Sequence, residues 1–90
     1  MRGRAAASQP VGYEMRSRLP VVSGRQAIAA FARDGWMVSR QESSHVTMKK
    51  RGCRFLLTVP RAKELDAGTL RRLIRDAGLS VEEFGALLAR

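Results

Sequence analysis

The spacing of apolar residues changes twice along this chain, and this change limits the possible folds more than any other feature. Before Trp36 and after Pro60, apolar residues recur every three or four positions, as they do on one face of a helix. Between these two residues, apolar and polar side chains alternate, which is typical of strands with one buried face. The sequence therefore predicts an α+β domain in the order helix, three antiparallel strands, helix and short C-terminal helix.

Residues that cap helices stand where each predicted helix begins. Ser23 and Gln26 match a capping box for the first helix, which we expect to run from about Gly24 to Asp34. Asp66 and Ser80 occupy the equivalent positions before the second and third helices. Because each predicted helix has one apolar face, we expect all three helices to cover the same face of the sheet.

The alternating segment predicts strands at residues 36–41, 45–50 and 53–60, joined by a loop at 42–44 and a turn at Arg51-Gly52. The side chains expected to face the helices are Trp36, Val38, Val46, Met48, Cys53, Phe55, Leu57 and Val59. Those expected on the opposite face are Ser39, Gln41, His45, Thr47, Lys49, Arg54, Leu56 and Thr58. The outer face is therefore predicted to be polar and cationic, and to hold the only histidine of the chain.

The charge of the chain indicates a polyanionic partner. Lys and Arg number 17 against 8 Asp and Glu, which gives a net charge of +9, and only three of the 17 cations are lysines. The planar guanidinium of arginine suits phosphate, so this bias favours nucleic acid. Charge alone names no partner, and a basic surface also serves solubility.

Other features limit the class of protein. The single cysteine, Cys53, excludes an intrachain disulfide and a multi-cysteine zinc site, and we expect no metal or other cofactor. Residues 1–18 lack hydrophobic periodicity and are expected to form a flexible basic tail before a domain at 19–90, with Met15 as a possible native start. No stretch resembles a membrane span or a signal peptide, so we expect a cytoplasmic protein.

Three segments, LPVVSGRQAI, SSHV and VPRAKELDAGTLRRLIRDAGLSVEEF, resemble the HicA-type (YcfA-like) mRNA interferase toxins over about residues 19–88. The resemblance implies a double-stranded-RNA-binding-domain-like fold and the toxin of a type II toxin–antitoxin system. Such a toxin is an endoribonuclease that cuts mRNA and is neutralised by a HicB-type antitoxin. Ser44-His45 matches the Gly-Ser-His motif that carries the family's catalytic histidine, with Ser43 in place of the glycine. The loop Pro60-Arg61-Ala62 lacks the second histidine that many members carry.

RNA can be cleaved without a metal when its 2′-hydroxyl attacks the neighbouring phosphorus. The reaction needs a base, an acid and cations for the charged intermediate. We expect His45 to act as base or acid, and Lys49 and Arg54 to hold the phosphate and favour the neutral imidazole. Ser44 either orients His45 or only closes the hairpin. The second proton carrier is open, with water and Lys49 as candidates.

The remaining candidates for RNA binding on the predicted sheet are Thr47, Lys50 and Arg51. An alternative function is a non-catalytic module of the same fold that binds single-stranded RNA. The two functions differ in turnover, because only the ribonuclease degrades RNA in EDTA. A DNA-binding helix pair is disfavoured, since the apolar faces of the last two helices are expected to be internal.

Overall fold

A computed structural model describes residues 19–90, which form three helices and three strands. In chain order these are α1 (Gly24–Arg33), β1 (Met37–Gln41), β2 (His45–Lys49), β3 (Leu57–Pro60), α2 (Ala67–Asp76) and α3 (Val81–Leu88). The strands form one antiparallel sheet in the order β1-β2-β3. The predicted α+β fold, with the element order of a double-stranded-RNA-binding-domain-like protein, is confirmed. The predicted tail at residues 1–18 and the possible start at Met15 lie outside the described residues.

The predicted capping boxes are present at the N-terminal ends of α1 and α3. The Ser23 hydroxyl accepts a hydrogen bond from the Gln26 backbone N–H at 3.0 Å, and the Gln26 side chain accepts one from the Ser23 N–H at 2.9 Å. Ser80 and Glu83 repeat this exchange before α3, at 3.0 and 2.7 Å. Each box satisfies two N–H groups that a helix start leaves without partners, which is why the short helices begin where they do.

Asp66 caps α2 by two hydrogen bonds with Thr69. Its carboxylate accepts from the Thr69 hydroxyl at 2.7 Å and from the Thr69 backbone N–H at 3.1 Å. These bonds favour the charged carboxylate, so the Thr69 hydroxyl and then its N–H hold the pKa of Asp66 below its usual value. The predicted start of the second helix is therefore confirmed.

One hydrophobic core lies between the sheet and the helices. α1 packs against α3 and β3, and α2 packs against β3. The rings of Phe31 and Phe84 meet at a centroid distance of 5.2 Å. The largest fully buried side chains are Trp36, Phe31, Phe84, Met48, Leu57, Leu70, Leu73 and Val59. Burial of each of these side chains stabilises the fold by on the order of 2 kcal/mol relative to leaving it exposed. The helices cover this face of the sheet, and the opposite face stays open. Among the helices of residues 19–90, none has the length and apolar character needed to cross a membrane.

An irregularity in β1 changes which side chains face the core. Val38 pairs with Met48, but the next paired residue is Arg40, which lies opposite Thr47. Ser39 is thus an extra residue on β1, as in a β-bulge. The two-residue alternation is interrupted at this point, and the sequence carried no signal of it.

The bulge reverses the faces of the two residues that follow it. Side chains directly opposite each other in an antiparallel pair share a face. Gln41 lies opposite the buried Val46, so it faces the helices, and the prediction that Gln41 points outward is wrong. Arg40 takes its place on the outer face. Val38 faces the helix side as predicted but is 44% exposed, because the helices leave the β1 edge of the sheet open.

The third strand is shorter than predicted and begins at Leu57, not at Cys53. The Cys53 N–H donates to the Lys50 carbonyl at 3.0 Å, and Gly52 has a φ of +83°. The chain therefore turns directly after β2, and residues 53–56 lie outside the ladder, which begins where Leu57 pairs with Met48. Cys53 is half-buried and packs against the core.

Two apolar residues before β3 are at the surface. Phe55 is 63% exposed and Leu56 is 57% exposed. The prediction that Phe55 faces the core is wrong, because it lies in the irregular segment before the ladder begins. Arg54 lies in the same segment and is not part of the sheet, contrary to its predicted place on strand three.

The start of α1 is fastened to the chain just after β3. The Gly24 N–H donates to the Ala62 carbonyl at 2.9 Å. A Cβ atom at Gly24 would overlap the carbonyl oxygen of Pro60. Only glycine permits this approach, and Pro60 is the residue that pairs with His45.

Candidate active site

His45 is the first residue of β2 and lies at one end of the sheet. Its strand neighbours Val46 and Met48 are buried on the helix side, so the predicted alternation of β2 is confirmed and His45 faces outward. The His45 side chain is 37% exposed. The imidazole is therefore accessible to a large ligand.

Both nitrogens of the imidazole have protein partners within the turn between β1 and β2. Glu42 Oε1 lies 2.6 Å from His45 Nε2, and Ser44 Oγ lies 3.1 Å from Nδ1. Because an ionised carboxylate can only accept a hydrogen bond, Nε2 is the nitrogen that carries a proton towards Glu42. The Ser44 hydroxyl donates to Nδ1 in the neutral ring and accepts from it in the protonated ring. These two contacts fix the orientation of the ring.

The local sequence explains why these groups meet. The Glu42 N–H donates to the His45 carbonyl at 2.9 Å, which closes a tight turn over Ser43-Ser44. Small polar residues are common in such turns because their side chains bond to nearby groups. The turn brings Glu42 and His45 directly opposite each other. Sequence reasoning assigned Glu42 only to a loop, although its spacing of three residues from His45 was a usable signal.

The Glu42 carboxylate also contacts a cation. Its Oε2 lies 3.9 Å from Arg40 Nη1, while its Oε1 contacts His45. Arg40 can reach this position because the bulge at Ser39 turns it to the outer face. The ion pair is exposed and contributes little to stability. Its consequence is that a guanidinium and an imidazole share one carboxylate.

A second arginine reaches the same end of the sheet from β3. The Arg61 N–H donates to the Ser44 carbonyl at 2.9 Å, one step beyond the pairing of His45 with Pro60. Its guanidinium donates from Nη2 to Gln41 Oε1 at 3.0 Å. From the sequence alone, Arg61 stands out only because the loop that contains it lacks a second histidine. The strand register, which the sequence does not give, is what places it here.

All four predicted RNA-binding cations lie at the other end of the sheet from His45. At about 3.4 Å per residue, the four steps from His45 to Lys49 separate their Cα atoms by roughly 14 Å. Arg51 and Arg54 lie beyond Lys49, in the segment between β2 and β3. Lys50 Nζ is bonded to the Asp34 carboxylate at 3.2 Å. We call residues 49–56 the distal end of the sheet.

The structure thus brings Ser44 and His45 together, and places Thr47 next along the strand, opposite Arg40. It does not bring Lys49 and Arg54 to the imidazole. The charged group in contact with the ring is the Glu42 carboxylate. Within residues 19–90, no three His, Cys, Asp or Glu side chains form a cluster that could hold a metal ion.

The comparison with protein families gives one finding. A family model described as the HicA toxin of bacterial toxin–antitoxin systems matches residues 24–79. This range runs from the first residue of α1 to the residue before the α3 cap, and it includes the whole sheet and the His45 turn. A comparison with curated proteins finds no match.

Proposed function

The chain belongs to the HicA toxin family of bacterial toxin–antitoxin systems, and from this we propose that it is the toxin of a type II system that cleaves mRNA as a metal-independent endoribonuclease. The observation that supports this function is the accessible His45, which has both ring nitrogens hydrogen-bonded and stands in the family's Ser-His position. Membership implies an antitoxin partner. We further propose that the partner is of the HicB type and that the toxin acts in the cytoplasm.

The reaction is a transfer of the phosphoryl group within the RNA. The 2′-oxygen loses its proton and forms a bond to phosphorus, and the bond from phosphorus to the 5′-oxygen breaks. The leaving 5′-oxygen takes up a proton, so the products are a 2′,3′-cyclic phosphate and a 5′-hydroxyl. One group must accept a proton and another must donate one.

Glu42 and His45 can supply these two roles. The Glu42 carboxylate accepts the 2′-hydroxyl proton, and the protonated His45 donates from Nε2 to the 5′-oxygen. The two groups are 2.6 Å apart in the free protein, so this contact must break and the Glu42 carboxylate must move aside before base and acid stand on opposite sides of the phosphate. Ser44 keeps the ring in place through Nδ1. Glu42 therefore fills the role of the second proton carrier.

Two sets of cations would hold the RNA. Arg40 lies beside Glu42 at the His45 end and would neutralise the phosphate that reacts. The Arg61 guanidinium is bonded to Gln41 on the helix side, so it would hold the phosphate next to the one that reacts. The distal cations would contact phosphates further along the same strand. These are Lys49, Lys50, Arg51 and Arg54, with the Thr47 hydroxyl between the two ends.

The test is incubation of purified protein with single-stranded RNA in EDTA. Wild type should cleave, and His45→Ala should lose at least about a hundredfold in rate, the usual contribution of an acid or base. Ser43→Ala changes the neighbouring exposed turn residue and serves as the control, with cleavage retained. Undiminished cleavage by His45→Ala would refute the proposal. RNA binding by wild type without cleavage would favour the non-catalytic module.

The role of Glu42 predicts that cleavage needs a carboxylate at this position. Glu42→Gln keeps the size of the side chain but removes the base for the 2′-hydroxyl proton, so it should slow cleavage by about a hundredfold. If Glu42 only positioned the ring, Glu42→Gln would keep most of the rate, because its amide oxygen still accepts a hydrogen bond from Nε2. Cleavage rates of the two proteins in EDTA distinguish the two roles.

An antitoxin must prevent RNA from reaching His45. The net charge of the chain is +9, so an acidic surface on the antitoxin would be attracted to the same groups as RNA. We propose that the antitoxin covers the outer face of the sheet. Competition between antitoxin and RNA, measured at low and high salt, tests this arrangement.

A further inference from the structure

A basic cleft lies on the helix side of the sheet, next to the His45 turn. Its volume is about 530 Å³, which is large enough for a nucleotide. The residues that line it come from the start of α1, from β1 and β2, and from the segment after β3. They are Ser23, Arg25, Ile28, Val38, Gln41, Val46, Arg61, Ala62 and Lys63.

The lining has two chemical parts. Three cations, Arg25, Arg61 and Lys63, are exposed around it. Among the residues of 19–90 that line the cleft, none is acidic. The apolar part is formed by residues such as Ile28 and Val38, and Val38 is 44% exposed on the side that would otherwise be core. An apolar floor with a cationic rim suits a ligand that has a flat apolar body and a negative charge.

The cleft is continuous with the candidate active site. Gln41 and Val46 line it, and they are the paired residues that flank the turn at residues 42–45. Arg61 belongs to both places, because its backbone bonds to Ser44 and its guanidinium bonds to Gln41. A single-stranded RNA that crosses the outer face at His45 can therefore continue around the end of the sheet into the cleft.

We propose that the cleft binds the nucleotide of single-stranded RNA adjacent to the bond that is cut, an inference that rests on the proposed ribonuclease function. The base lies on the apolar floor, and Arg25 and Lys63 hold its phosphate. The Gln41 amide can donate and accept hydrogen bonds at the edge of the base, so it is the residue that selects the base. An acidic peptide would satisfy the cations but would leave the apolar floor without a flat partner.

The binding test uses a six-nucleotide 2′-O-methyl RNA, which cannot be cut because its 2′-oxygen is blocked. Fluorescence anisotropy should show that Arg25→Gln combined with Lys63→Gln weakens binding by about a hundredfold. The slope of log K against log salt should become shallower by roughly 0.7 for each cation removed. Arg71→Gln, which removes an exposed cation of α2 away from the cleft, should change the affinity less than about twofold.

The outcomes separate the cleft from the proposed function. Equal weakening by the cleft variants and by Arg71→Gln would overturn the cleft proposal, because binding would then be spread over the surface. A polyglutamate peptide that binds the cleft while the RNA does not would also overturn it. If the wild-type protein binds RNA in the cleft but does not cleave it, the proposed ribonuclease function is refuted and the cleft proposal stands.

The selection of the base has its own readout. Gln41→Ala should broaden the set of bases found next to the cut, as mapped on a long RNA of mixed sequence. Arg71→Gln should leave the cleavage pattern unchanged. An unchanged pattern with Gln41→Ala would remove Gln41 as the residue that reads the base.

Discussion

The two ends of the sheet both carry positive charge, but they differ in what holds that charge in place. At the His45 end, Arg40 contacts the Glu42 carboxylate and Arg61 is bonded to Gln41 and to Ser44. At the distal end Lys50 is bonded to Asp34, but Arg51 and Arg54 lie in an irregular segment beside exposed apolar residues. Net charge therefore predicts the class of partner, whereas the position of a site depends on which cations the fold fixes around a reactive group.

The backbone differs between the two ends in the same way. At the His45 end all three strands are paired or extended by further hydrogen bonds, and α1 is fastened to the chain after β3. At the distal end only a turn with Gly52 at positive φ joins β2 to the segment before β3. The His45 end requires close packing of the chain, whereas the distal end requires only a residue that can adopt a positive φ.

The largest effect is expected from replacing a glycine at the His45 end. Gly24→Ala places a methyl group against the Pro60 carbonyl oxygen, which must move, so we expect a loss of about 2 kcal/mol in the free energy of unfolding. Urea denaturation measures this loss. Because Pro60 pairs with His45, the folded fraction should also cleave RNA more slowly.

The matched change at the distal end is Gly52→Asn. A Cβ at Gly52 meets no atom within 4 Å, and asparagine adopts positive φ more readily than other residues. The change in the free energy of unfolding should stay within about 0.5 kcal/mol. A loss as large as that of Gly24→Ala would mean that the two ends do not differ as described.

A smaller effect is expected from removing one arginine at each end. Arg61→Gln should lower kcat/KM for RNA cleavage by about tenfold, the value of one hydrogen bond to a charged group. Arg54→Gln makes the same change at the distal end, where it should lower kcat/KM by less than about twofold at physiological salt. Equal effects would show that the cations act only through net charge. Thermal melting of both variants checks that the fold is retained.

The smallest effect concerns the cap of α2, which lies at neither end of the sheet. The folded pKa of Asp66 is lowered by its bonds to Thr69, so this carboxylate stabilises the fold above its unfolded pKa of about 3.8 and the contribution is lost as the pH falls below that value. The decrease in melting temperature from pH 5 to pH 3 should be smaller for Asp66→Asn than for wild type. Cleavage at neutral pH should be unchanged, because the cap does not contact the His45 turn.

The sequence predicted the features that depend on neighbouring residues. The capping boxes at Ser23 and Ser80, the cap at Asp66 and the alternation of β2 are encoded within a few positions, and all are confirmed. The resemblance in the sequence and the family match agree on the type of toxin.

The features that depend on strand register were missed. The bulge at Ser39 exchanges the faces of Arg40 and Gln41, and it can be seen only when β1 is paired with β2. The early turn at Gly52 removes Phe55 and Arg54 from the sheet. Because the positions of Arg40 and Arg61 relative to His45 follow from this register, the outward face of His45 could be predicted and its neighbours could not.

The close turn between β1 and β2 has a consequence for how such a site can change over time. Glu42, Ser44 and His45 are contributed by four consecutive residues, and their mutual contacts require no other part of the chain. Arg40 and Arg61 reach this end of the sheet through the bulge in β1 and from the segment just after β3. A graft of residues 42–45 onto another hairpin would therefore carry the proposed proton-transfer groups and leave these two arginines behind.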